Sequence, residues 1–146
     1  MRRTLPALLL LACLAPATHA ASIAADLQQA WARQKALLVR TVDAMPEESF
    51  RYKPTDAQRT FGAQVLHVAG ANSFLFGFTG AEAKGLEFTM GNFATFGLEA
   101  STKVDYLELL EKSFDHGIAA LGEFDDEAML AEVQGPPWVG EVTREI

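Results

Sequence analysis

The chain has 146 residues, a length that suits one domain with a single buried core. Its 19 acidic residues outnumber its 12 lysines and arginines, and the formal net charge is −7. This balance argues against a nucleic-acid partner, because phosphate binding needs a basic surface.

Residues 1–20 have the layout of a secretory signal peptide. A basic start, Met1-Arg2-Arg3, precedes an apolar run from Leu5 to Leu14, and Thr18-His19-Ala20 is a small-x-small cleavage site. The pattern predicts cleavage after Ala20 and a periplasmic or secreted domain over residues 21–146. The apolar run is too short to span a bilayer permanently, and the rest of the chain offers no stable membrane span.

The single cysteine supports a second interpretation of the N-terminus. Leu10-Leu11-Ala12-Cys13 loosely resembles a bacterial lipobox, in which Cys13 would be acylated and the product would be an anchored lipoprotein. If the signal peptide is instead cleaved after Ala20, Cys13 leaves with it. The mature protein then has no thiol nucleophile and no disulfide.

Three stretches have the apolar period of amphipathic helices. A serine or threonine that can cap the first turn precedes each stretch, and proline or glycine follows it. The predicted helices run from Ser22 to about Met45, from Thr60 to Phe76 or Phe78, and from Ser101 or Thr102 to Gly122.

The segments after the second and third helices are harder to assign. Residues Gly80 to Ala100 have no clean period, and they suit either a functional lid or a connector whose aromatic residues plug the end of a bundle. Residues Glu141 to Ile146 have the pattern of a helix that begins, with Thr143 as its cap. Because three wide apolar faces need a fourth helix to close the core, we expect an all-α, up-and-down bundle whose fourth helix is missing or truncated.

The order of these motifs resembles the DinB family of helical-bundle proteins, and the resemblance covers the whole predicted mature chain. The motifs that carry it are Trp31 in a long first helix, Met45-Pro46-Glu47-Glu48, Phe50-Arg51-Tyr52-Lys53-Pro54-Thr55, Phe61-Gly62 ahead of Leu66-His67-Val68-Ala69, and Val142-Thr143-Arg144.

The resemblance implies a divalent metal, Zn, Ni or Fe, held by three histidines. His67 matches the ligand of the second helix, and the family's other two ligands form a His-x-x-x-His turn on the fourth helix. This sequence lacks that pair, so the implied site is incomplete in this chain. In its complete form the protein would be a transferase, as the relatives that use small thiols are, or a hydrolase-like enzyme, with a small-molecule substrate that the resemblance does not identify.

The alternative is a non-catalytic helical module without metal, which binds a partner or forms a homodimer through its uncovered face. The remaining histidines add no ligand to the implied site. His19 leaves with the signal peptide, and His116 lies off the apolar stripe of the third helix, which predicts a surface histidine.

Overall fold

The computed structural model describes residues 22–136 and 141–143, so the predicted signal peptide and Cys13 lie outside the described residues. Three long helices form where the apolar periodicity predicts them. They are α1 (Ile23–Ala44), α2 (Phe61–Phe76) and α3 (Lys103–Leu121). A 3-10 helix at Glu47–Arg51 follows α1, and a short helix α4 at Asp126–Met129 follows α3.

The three long helices begin at the predicted capping residues. The side chain of Ser22 accepts a hydrogen bond from the amide of Ala25, and Thr60 accepts one from Ala63. Thr102 forms a reciprocal capping box with Asp105, whose carboxylate accepts from the backbone amide of Thr102 at 2.8 Å. Hydrogen bonds to the ionised carboxylate, from the amides of Ser101 and Thr102 first, lower the pKa of Asp105 below its usual 3.8.

The core lies around α3, which packs along both α1 and α2. The backbones of α1 and α2 approach each other closely at few points, so side chains of α3 fill the space between them. One core cluster consists of Val42, Phe50, Val65, Leu110 and Phe114. A second cluster, Ala24, Leu121 and Met129, holds α4 against the start of α1.

An apolar groove runs between α1 and α2, with Leu110 of α3 at its floor. Its walls are Leu38, Thr41 and Val42 on α1, and Phe61, Gln64, Val65 and Val68 on α2.

The chain between α2 and α3 contains neither helix nor strand, as expected for residues 80–100. Its aromatic side chains do pack onto the helices, and Phe96 is buried against Gly70 and Phe74. Gly70 leaves room for that contact, since a Cβ atom there would lie 2.5 Å from the Cβ of Phe96. Phe96 itself has a φ of 54°, a left-handed conformation that its buried ring contacts maintain.

The predicted helix start at Glu141 is wrong for residues 141–143. These residues form a strand β2 (Glu141–Thr143), which pairs antiparallel with β1 (Glu132–Gln134) in a register that places Val133 opposite Val142. Val142 and Thr143 are β-branched, and such residues favour a strand once a partner strand is available. Residues 144–146 lie outside the described part of the chain.

No helix within residues 22–136 is both long and apolar enough to cross a membrane.

Candidate functional site

His67 lies on the side of α2 that faces the loop between α2 and α3. Its Nδ1 is 2.8 Å from the carbonyl oxygen of Phe93, and its ring centroid is 5.4 Å from that of Phe96. A carbonyl oxygen can only accept a hydrogen bond, so Nδ1 carries a proton, and the neutral form of such a ring has its lone pair at Nε2. A histidine that ligates a metal through Nε2 commonly has this tautomer.

A positive charge lies beside His67, because the same carbonyl group also binds Arg59. Nη2 of Arg59 donates to the oxygen of Phe93 at 3.3 Å, and Nε donates to the oxygen of Ala94 at 3.1 Å. The carbonyl group of Phe93 in the loop therefore contacts both the imidazole of His67 and the guanidinium group of Arg59. Sequence reasoning missed Arg59, because an arginine before a helix cap has the pattern of an ordinary solvated residue.

His67 has no companion ligands in the described part of the chain. No group of three His, Cys, Asp or Glu side chains within residues 22–136 is placed to hold a metal ion. The paired carboxylates Glu47-Glu48 and Asp125-Asp126 lie at helix starts, where negative charges interact favourably with the helix dipole. The role of His67 as a metal ligand therefore stays a prediction.

The prediction of a surface position for His116 is wrong. His116 is only 7% exposed, because a segment of the α2–α3 loop, residues 82–86, covers this side of α3. We call this segment the strap. The buried face of α3 is also wider than an amphipathic stripe, since α3 packs against helices on two sides.

Side chains rather than backbone groups hold the strap in place. The carboxylate of Glu123 accepts hydrogen bonds from the amides of Glu82 and Ala83, at 2.6 and 2.7 Å. The hydroxyl of Ser73 accepts from the amide of Leu86 at 3.0 Å. His116 completes the attachment, since its Nε2 lies 3.1 Å from the carbonyl oxygen of Ala83 and must donate to it.

The environment of His116 favours its neutral form. Burial lowers the pKa of the imidazole below its usual 6.5, although the hydrogen bond to Ala83 and the negative charge of Glu123 oppose the shift. The other nitrogen, Nδ1, is buried without a hydrogen-bond partner among the described residues. The ring of Phe76 lies beside it, and Gly85 approaches so closely that a Cβ there would lie 2.6 Å from Nδ1.

We predict that His116 makes the folded protein less stable in mild acid. Below pH 6.5 the unfolded chain takes up a proton on this residue more readily than the folded chain does, so the free energy of unfolding falls as the pH falls. Urea unfolding between pH 8 and pH 5 checks this. His116→Gln keeps a donor for Ala83 but cannot become charged, so its stability is expected to depend less on pH. Parallel profiles for the two proteins would contradict the assignment.

No family model, curated protein or solved structure matches this chain. The described residues form a mainly helical fold of three long helices with a short two-stranded sheet, and the site places a half-buried histidine beside an arginine.

Proposed function

We propose that the chain is an exported DinB-like bundle protein whose complete site binds a divalent metal, Zn, Ni or Fe, with His67 as one ligand. The supporting observation is the hydrogen bond of 2.8 Å between Nδ1 of His67 and the carbonyl oxygen of Phe93. It places a proton on Nδ1 and leaves Nε2 to coordinate, as does the hydrogen bond that the non-coordinating nitrogen of a metal-bound histidine commonly donates.

The described residues do not fit a three-histidine site by themselves. One imidazole does not retain a metal ion, because several ligands together provide the affinity. The proposal therefore requires two further ligands, which the family resemblance assigns to a His-x-x-x-His turn on a fourth helix. A transferase or hydrolase-like activity would depend on that complete site, because open coordination positions are needed for water or substrate.

The test is the metal content of the gene product purified from its own host. We expect a native mass spectrum to show one bound metal ion per chain, and we expect His67→Ala to remove it. Gln64→Ala is the matched control, since Gln64 is exposed one turn earlier on the same helix. A wild-type protein without metal, or a His67→Ala variant that keeps its metal, would overturn the proposal.

The apolar groove between α1 and α2 favours a second candidate, a non-catalytic module that forms a homodimer. Val42, Val65 and Leu110 are buried beneath the groove, and the neighbouring Leu37 is 56% exposed. An uncovered apolar face of this kind commonly marks an interaction surface. The same mass spectrum separates the two candidates, because a metal-free dimer would favour the module over the metalloprotein.

A further inference from the structure

A cleft of about 740 Å³ lies between the end of α1 and the start of α2. Phe61 and Gln64 line both this cleft and the apolar groove, so the two are neighbours. Met45, Tyr52 and Pro54 form much of the apolar lining, while Gln58, Arg59 and Gln64 contribute polar groups. The cleft is open, since most of its lining residues are exposed, and its size and mixed lining can accommodate a small molecule.

The charge in this cleft is opposite to the charge of the chain. The sequence has 19 acidic residues against 12 basic ones, yet none of the described residues that line the cleft is acidic. Arg59 is the charged residue among them. Arg59 therefore gives the lining of the cleft a positive charge, whereas the molecule as a whole is acidic.

Backbone carbonyl groups, rather than a carboxylate, hold the guanidinium group of Arg59. The loop carbonyl groups of Phe93 and Ala94 accept from Nη2 and Nε, and no acidic side chain within residues 22–136 forms an ion pair with Arg59. A guanidinium group has five N–H donors, so Nη1 and one N–H of Nη2 have no hydrogen-bond partner among the described residues. A planar guanidinium group matches a carboxylate through two parallel hydrogen bonds.

We infer that this cleft binds a small organic molecule that carries a carboxylate group. The carboxylate pairs with Arg59, and the apolar part of the molecule lies against Tyr52 and Pro54. A single arginine balances one negative charge, whereas a phosphate dianion would need more positive groups than the cleft contains. The inference does not depend on a metal at His67.

Isothermal titration with benzoate tests the inference, with benzamide as a neutral molecule of the same shape. We expect benzoate to bind in a saturable way and benzamide to bind at least about tenfold more weakly. Arg59→Gln is expected to weaken benzoate binding by about tenfold or more. Arg40→Gln removes the same charge from an exposed site on α1 outside the cleft and should leave binding unchanged.

A second variant covers the case in which Arg59→Gln disturbs the loop. Gln64→Glu adds a negative charge to the cleft at an exposed position of α2 and leaves both carbonyl contacts of Arg59 intact. It should weaken benzoate binding, whereas Gln34→Glu, exposed on α1, should not. The inference is overturned if benzoate shows no saturable binding, if benzamide binds equally well, or if Gln64→Glu binds benzoate as the wild type does.

Discussion

Replacement of Phe114 by alanine is expected to lower the free energy of unfolding by about 3–5 kcal/mol. Phe114 is 3% exposed on α3 and belongs to the core cluster that joins α3 to α1 and α2. Its ring centroid lies 5.2 Å from that of Trp31. Truncation would remove this contact and leave a cavity at the point where the three helices meet, which the rigid neighbours cannot fill. Urea unfolding at neutral pH measures the loss.

Phe93→Ala is the control for this prediction. Phe93 is 49% exposed, so its removal takes away far less buried surface, even though its ring contacts Phe96. The carbonyl group that binds His67 and Arg59 belongs to the backbone and stays in the variant. We expect a loss of about 1 kcal/mol or less. Equal losses for the two variants would show that Phe114 is not part of the packed core.

The second large effect is expected at Gly117, which lies in α3 against Trp31 of α1 and Phe76 of α2. A Cβ atom at residue 117 would lie 2.3 Å from Nε1 of Trp31 and 2.6 Å from the ring of Phe76. Neither ring can move away easily, since the two pack edge to face with their centroids 5.2 Å apart. Overpacking of a core lowers the free energy of unfolding by about 1–3 kcal/mol. The better helix propensity of alanine raises it by at most about 1 kcal/mol.

Gly117→Ala should therefore destabilise the protein, whereas a glycine-to-alanine change in a helix ordinarily stabilises it. Gly91→Ala is the control, because a Cβ there meets no atom within 4 Å. We expect Gly91→Ala to be neutral or slightly stabilising, through the lower entropy of the unfolded chain. Thermal unfolding of both variants compares them directly, and a stabilised Gly117→Ala would show that α1 and α2 can move apart.

The helices could be predicted because their signals are local. Ser22, Thr60 and Thr102 cap the helices that the apolar period indicates, and each capping bond spans three residues. The strand at Glu141–Thr143 could not be predicted in this way. It depends on pairing with Glu132–Gln134, which joins residues seven to eleven positions apart, and an isolated sequence of three residues does not reveal its partner.

The same distinction applies to the candidate site. The family resemblance alone identifies His67 as a candidate ligand, which stays a prediction, and its bond to Phe93 joins residues 26 positions apart. The contact of Arg59 with Ala94 spans 35 positions, and the cover over His116 spans 33. All three depend on a loop without any period, so the sequence pattern indicates the histidine but not its surroundings.

The way the strap is attached has a consequence for local motion. Its amides at Glu82, Ala83 and Leu86 donate to side chains of Ser73 and Glu123, and they take no part in a helix or a sheet. We therefore expect the strap to open locally while α2 and α3 keep their own hydrogen bonds. Amide hydrogen exchange in the strap would then follow this local opening, while exchange at the centre of α3 would follow global unfolding.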